Sequence, residues 1–292
     1  MKVLVFGGTM LMGKHLVYSL IEKEYDITIA NRGITPDDFG DNVERVIVDR
    51  TDDESMKVVL SQTSYDVIFD SLAFCSNDVK YVLDHADCGK YIFISTSAVY
   101  KTFHNNITED DFDPYTEPLI WCGRDDYTYD VIKQQAECAV VQGYPHVKYA
   151  AVRVPVVLGR DDYLNRLHFY VDHVINQKPM FINNIDVQMA FVRSDEAGKF
   201  ISFLAETDFS GTINGASEQT VSMKEVIDHI TAKTGNTAVL SDSGAPAPYN
   251  NFQDFTINVD KAKNLGFTFT PLKDWIFDLT DYYIDEIMKI NR

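Results

Sequence analysis

The sequence predicts an α/β fold, a doubly wound parallel sheet with a smaller C-terminal α/β lobe, and three observations predict it. Short unbroken apolar runs alternate with longer amphipathic stretches from Val3 to Val154. The first run ends in a glycine turn, Gly7-Gly8-Thr9, with Gly13 just beyond. After Val154 the alternation loosens. Apolar runs without in-out alternation mark parallel strands whose two faces are both covered by helices. Right-handed crossovers then leave a ligand crevice at the carboxyl ends of the strands.

Taken in order, Val3–Phe6 reads as the first strand and Leu11–Glu24 as the helix that returns from it. Ile27–Ala30 and Val46–Val48 read as the second and third strands, Asp53–Ser61 as a helix, and Val67–Phe69 as the fourth strand. Asn77–Ala86 is the next helix, Tyr91–Ile94 the fifth strand, Tyr129–Gln142 a helix and Tyr149–Val154 the sixth strand. The connection Lys101–Thr128 is long, acidic and aromatic. Loops of that length in a compact domain are functional or mobile, so it reads either as a lid or as a surface excursion. In the second half, helices are expected at Tyr163–Asn176, Ser194–Glu206 and Met223–Thr234, with a looser Ser/Pro/Ala/Asn-rich stretch at Ser241–Asn251.

Composition narrows the function classes. The 292 residues are 45% hydrophobic and 24% charged, as in ordinary soluble domains. Forty-four acids against 26 bases give a formal charge of −18, which disfavours nucleic acid as a partner and favours a small-molecule one. The apolar start Val3-Leu4-Val5-Phe6 is too short for a signal segment or a membrane span, so a cytoplasmic protein is expected. Cys75, Cys88, Cys122 and Cys138 form no C-x-x-C pair and the seven histidines show no ligand spacing, so no metal is expected. The aromatic content, with Tyr282-Tyr283 near the C-terminus, suits a homodimer interface or a plain core.

The chemistry-bearing residues form an ordered series. A strand that turns into a helix beside a pyrophosphate must bring its backbone close to the anion and aim free N–H groups at it. Gly7, Thr9, Met10, Leu11, Met12 and Gly13 fill that turn, with Met10 standing where a middle glycine is usual. The second strand ends at Asn31-Arg32, where such folds read the adenosine ribose. An acid there would bind the 2′-hydroxyl of NAD. Arg32 instead offers a fork suited to a 2′-phosphate, so NADP(H) is favoured within NAD(P). Asp49 and Arg50, closing the third strand, border the adenine or simply form a solvent-facing turn. Tyr129 and Lys133 stand one helical turn apart, on one helix face. A free tyrosine, with a pKa of ~10, is too weak a base at neutral pH unless nearby positive charge favours its phenolate. Tyr144 and Lys148 repeat the spacing, but Pro145 and the strand at Tyr149 keep them off one helix. Thr96, in Ile94-Ser95-Thr96-Ser97-Ala98-Val99-Tyr100 at a strand end, places a hydroxyl where it can polarise a substrate oxygen.

These residues resemble the NAD-dependent epimerase/dehydratase family, a group of extended or atypical short-chain dehydrogenases/reductases built on a Rossmann-type sheet. The likeness runs from Val3–Thr9 through Ile94–Tyr100 and Tyr129-x-x-x-Lys133 to Arg153–Gly159, Phe191–Ala197 and Ile213–Ala216. The resemblance implies Thr96, Tyr129 and Lys133 as catalytic residues, Tyr129 and Lys133 also touching the cofactor, and Ser71, Leu72 and Ala73 as backbone passing it. It implies an NAD(P)-binding domain at 1–158, completed by 186–213, and a substrate lobe mainly at 159–292. Met10 and the Asn31-Arg32-Gly33 and Asp49-Arg50-Thr51-Asp52 segments are similar to an atypical branch that includes chloroplast stem-loop RNA-binding proteins. Ser97-Ala98 stand where dehydratases carry an Asp-Glu pair, which discounts dehydration, and Val156 replaces an asparagine common in epimerases. The expected function is oxidation, reduction or epimerisation at an alcohol or keto carbon of a sugar-nucleotide-like substrate. The alternative is a non-catalytic dinucleotide-binding protein with an RNA- or protein-binding role.

Overall fold

In the computed structural model, which describes residues 1–290, seven strands form one parallel sheet. They are β1 (Lys2–Phe6), β2 (Asp26–Asn31), β3 (Glu44–Ile47), β4 (Tyr65–Asp70), β5 (Cys88–Thr96), β6 (Tyr149–Val154) and β10 (Gly211–Asn214). Their order in space is β3-β2-β1-β4-β5-β6-β10, the doubly wound arrangement, which reverses direction beside β1. The unbroken apolar runs have a direct explanation. Val3 and Val5 of β1 enter one core, with Leu16, Leu20 and Phe200, while Leu4 and Phe6 enter the opposite core, with Met56, Val79 and Ala136.

The first face is covered by α1 (Leu11–Glu22) and α6 (Ser194–Leu204). They cross closely at Gly198, where a Cβ would stand 2.5 Å from the Leu16 nitrogen. The second is covered by α2 (Asp53–Leu60), α3 (Ser76–Leu83) and α4 (Tyr129–Cys138). A π-helical turn, Ala139–Gly143, prolongs α4. Tyr144 and Lys148 do not share a helix face: the Tyr144 hydroxyl donates to Asp84 and the Lys148 ammonium to Asp208.

Several boundaries differ from expectation. The helix expected at Asn77–Ala86 begins and ends earlier, because the Asp78 carboxylate accepts from the Phe74 and Cys75 backbone N–H groups at its start. The helix expected at Tyr163–Asn176 is α5 (Arg166–Ile175), preceded by Asn165 in the left-handed region at φ 54°. The third strand runs Glu44–Ile47, not Val46–Val48, and is largely exposed because it lies at the sheet edge.

The C-terminal lobe packs α5, α7 (Met223–Thr234) and α9 (Ile276–Ile290) into a third core. It also carries the two-strand pairs β7 (Val156–Leu158) with β9 (Phe191–Arg193), and β8 (Met180–Phe181) with β11 (Ala245–Pro246), and the short α8 (Asp260–Asn264). Tyr283 belongs to this core, its hydroxyl donating to the Gly159 carbonyl at 2.7 Å, and the Arg160 guanidinium lies over the Tyr282 ring. Among the described residues no helix is long and apolar enough to cross a membrane.

The connection 101–128 is not a loose surface excursion. It is stitched down as a strap. Ile107 exchanges backbone bonds with Thr256 and Asn258 of the C-terminal lobe, each 2.8 Å long. Gln142 donates to the Pro114 and Glu117 carbonyls, Gln135 accepts from the Ile120 nitrogen, and Ser76 accepts from the Cys122 nitrogen.

Candidate functional site

The carboxyl ends of the central strands open into a cavity of about 470 Å³, a volume within the range of small-molecule sites. Gly7 and Gly8 take φ of +95° and +57°, which only glycine adopts freely, and a Cβ on Gly13 would stand 3.2 Å from the Gly8 nitrogen. The α1 helix therefore starts directly against the turn. Its N-cap, Met10, makes no side-chain cap bond and its first turn holds no acid, so its free N–H groups and positive dipole end are left for an anion.

Around this turn the cavity wall brings together Gly7, Thr9, Met10, Leu11, Met12, Gly13, Asn31, Arg32, Asp49, Arg50, Ser71, Leu72, Tyr129 and Lys133. The Asn31 side-chain oxygen accepts from the Gly33 nitrogen at 2.7 Å, leaving its amide N–H donors for another partner. Arg32 stands exposed beside it. The Asp49 carboxylate accepts from the Thr51 nitrogen and hydroxyl at 2.9 and 2.7 Å. Arg50 differs from the reading that set it at the adenine: its guanidinium is buried, bonded to both Asp70 oxygens and to the Asp78 carbonyl. Arg50 is nonetheless one of the residues that line the cavity. Ser71 Oγ is buried in the wall with no hydrogen-bond partner.

Ala73 and Thr96 lie behind the wall. The Ala73 carbonyl accepts from Lys133 Nζ, which also donates to Ile94, both at 2.9 Å. Burial lowers the Lys133 pKa to about 8, against the fields of Asp70 and Asp78, which raise it. Thr96 ends β5, its hydroxyl oxygen accepting from the Ala98 nitrogen at 3.1 Å, and it contacts the Tyr129 hydroxyl. Ser95, its neighbour, is turned away and donates to buried Glu137. Burial raises the Tyr129 pKa and the Thr96 hydroxyl lowers it. Lys133 Nζ lies 6.0 Å from the Tyr129 ring centroid.

A buried ion pair fixes the helix that carries these groups. Glu137 of α4 accepts from Arg153 Nη2 at 2.6 Å and Nε at 3.0 Å, and both residues are at most 1% exposed. Arg153 also donates to the Glu109 and Phe112 carbonyls of the strap. Among the further wall residues with no motif to announce them are Phe74, Arg124 and Tyr163. Phe74 lies near both cations, its ring centroid 4.8 Å from the Arg124 guanidinium carbon and 4.6 Å from Lys133 Nζ.

Residues 3–214 match the model of the NAD dependent epimerase/dehydratase family. The chain belongs to that family. Several solved structures share its architecture end to end. The UDP-glucose 4-epimerase of Thermotoga maritima superposes with a TM-score of 0.78 at 16% identity, covering 99% of this chain and 100% of that one. The UDP-glucuronic acid 4-epimerase of Bacillus cereus, in complex with NAD, gives 0.74 at 20% identity, covering 99% and 98%. MoeE5 in complex with UDP-glucose and NAD gives 0.76 at 17% identity over the whole of both chains. At these identities the likeness is one of fold. Among curated proteins, the chloroplast stem-loop binding protein of 41 kDa b of Arabidopsis thaliana is 27% identical over 113 residues. That alignment spans 34% of this chain and 30% of that protein.

Proposed function

We propose that this member of the NAD-dependent epimerase/dehydratase family oxidises, reduces or epimerises an alcohol or keto carbon of a sugar-nucleotide-like substrate, with NADP(H) preferred over NAD(H). The reading is supported by Tyr129 and Lys133 sharing one cavity wall with the glycine turn, and by the Thr96 hydroxyl in hydrogen-bond contact with Tyr129. The cavity suits a dinucleotide on its own terms. Gly13 leaves room for a close backbone approach, the α1 start is uncapped, and Ser71 Oγ lacks a partner. Gly7–Gly13 would hold the pyrophosphate, Asn31 and Arg32 the adenosine ribose, and Lys133 the nicotinamide ribose. Once bound, the nicotinamide supplies the hydride acceptor or donor and a positive charge that favours the phenolate.

Tyr129 Oη takes the proton from the substrate hydroxyl during oxidation and returns it during reduction. Thr96 donates a hydrogen bond to the same oxygen as its charge develops. A phenol is already protonated at neutral pH, and the partial desolvation of Tyr129 raises its pKa further, so added positive charge is required before it acts as a base. Ser97 and Ala98 carry no acid for water elimination, which favours epimerase or reductase chemistry over dehydration.

The test is single-turnover and steady-state assay of nucleotide-sugar alcohols and ketones with NAD(H) and NADP(H). Tyr129→Phe should lower turnover at least a hundredfold and leave dinucleotide affinity within a few-fold. Undiminished activity in that variant would sink the mechanism. Dinucleotide binding by the wild type, with no turnover across the substrate panel, would instead support the non-catalytic reading suggested by the stem-loop binding protein match.

A further inference from the structure

Arg124 reaches the cavity wall from the strap, 52 residues along the chain from the Leu72 carbonyl it holds. Its Nε donates to both Asp78 oxygens at 3.2 and 3.0 Å, and Nη2 donates to Leu72 at 3.1 Å. A guanidinium carries five N–H donors in a rigid fork. These contacts use Nε and one Nη2 hydrogen, and among the described residues nothing accepts from Nη1. The side chain keeps 36% of its surface exposed, whereas Arg50 beside it keeps 6%. One arginine is therefore spent on the frame, and the other is anchored by one edge with its second edge open.

The surroundings of that open edge favour an anion. The wall carries Arg32, Arg50, Arg124 and Lys133 and, among its described residues, one acid, Asp49. Setting Asp70 and Asp78 against Arg50 and Arg124 still leaves the wall positive, in a chain whose formal charge is −18. The Asp49 carboxyl is held below its ordinary range first by the Thr51 N–H, then by the Thr51 hydroxyl, with Arg32 and Arg124 adding to the effect. Both guanidinium groups thus stand within electrostatic reach of one carboxylate at the end of β3.

We propose that Arg124 is a phosphate-binding residue of the dinucleotide site, the N–H groups of its open edge donating to a pyrophosphate oxygen or to the 2′-phosphate of NADP(H). The inference rests on the NAD(P) reading above. Planar forks pair with phosphate oxygens in a charge-assisted, often bidentate way, and Asp78 with Leu72 holds this fork in place before the ligand arrives. The strap thereby adds a second, side-chain contact to a phosphate that the glycine turn or Arg32 also meets.

Calorimetric titration of NAD⁺, NADP⁺ and adenosine into wild type, Arg124→Gln and Arg124→Lys separates the outcomes. Arg124→Gln should raise the dinucleotide Kd at least tenfold, Arg124→Lys should recover part of the loss, and adenosine affinity should stay within twofold. A loss confined to NADP⁺ assigns the guanidinium to the 2′-phosphate, and an equal loss for both dinucleotides assigns it to the pyrophosphate. Unchanged dinucleotide affinity in Arg124→Gln overturns the proposal, as does a parallel loss for adenosine, which would mark a purely structural role. If the wild type binds neither dinucleotide, the cofactor reading itself fails, and this outcome is distinct from the others.

Discussion

Replacing Glu137 by Gln tests how α4, the helix that carries Tyr129 and Lys133, is held. The carboxylate is 1% exposed, bonded to Arg153 through Nε and Nη2 and to the Ser95 hydroxyl. Gln keeps the shape but removes the charge, leaving the Arg153 guanidinium, 0% exposed, without a counter-ion. Breaking one side of a buried pair costs about 3–5 kcal/mol, far more than an exposed pair is worth. For a chain of this size each kcal/mol lowers Tm by about 2–4 °C, so a drop on the order of 10 °C is expected. The assay is urea unfolding of the wild type, Glu137→Gln and the double variant Glu137→Met/Arg153→Met. The double variant should lose less than Glu137→Gln, because removing both charges leaves no unpaired ion. A Glu137→Gln protein within 1 kcal/mol of wild type would refute the claim that this pair anchors α4.

Two further perturbations act elsewhere. Lys90 is buried, donates to the Leu204 and Thr207 carbonyls, and is lowered by burial from 10.5 to about 8. The unfolded chain then binds more protons than the folded one between those values, so stability rises with pH there, by about 2 kcal/mol from pH 7.5 to 9.5 for this lysine. Lys90→Met should remove that share of the rise in unfolding free energy, and an unchanged slope would show that Lys90 does not titrate in this range. Gly13→Ala would put a methyl 3.2 Å from the Gly8 nitrogen and should raise the dinucleotide Kd at least tenfold while Tm moves by only a few degrees. Equal affinity in that variant would mean that the close approach of α1 to the turn does not matter for binding.

The parts of the fold legible in the sequence are those where neighbouring residues share one environment. Val3 to Phe6 are all apolar because alternate side chains enter two different cores, and a run of that kind is visible without knowing what covers it. Tyr129 and Lys133 are legible for a similar reason: four residues on one helix fix their relative placement. Arg50 was harder, since its partner Asp70 lies on another strand and nothing near Arg50 distinguishes a guanidinium buried against an acid from one facing a ligand. Arg124 had no local signal at all, because its role depends on a strap crossing two helices to reach Leu72 and Asp78. β3 starts two residues before the apolar run and ends one residue before its close, because an edge strand need not be apolar. α9 was not foreseen, although Ile276, Leu279, Tyr283 and Ile287 recur at helical spacing on its buried face.

The bonds that tie down the strap also make opening it costly. A lid must open at a cost of a few kcal/mol, and low-stability segments have few buried contacts. Here Arg153, itself buried, donates to the Glu109 and Phe112 carbonyls at 2.8 and 2.9 Å, so lifting this end would strip hydrogen bonds from an interior guanidinium. The far end is held by Arg124 on Asp78, and Asp78 is 2% exposed and also borders Arg50. Between the two, Ser76, Gln135 and Gln142 satisfy strap backbone groups at 2.6–2.8 Å. Opening the strap would leave charged and polar groups in the interior unpaired at both ends, each at a cost of about 1–3 kcal/mol or more. The same two clamps attach to the helix and loop that position Tyr129, Lys133 and Leu72, so the strap is part of the frame that sets the site's geometry.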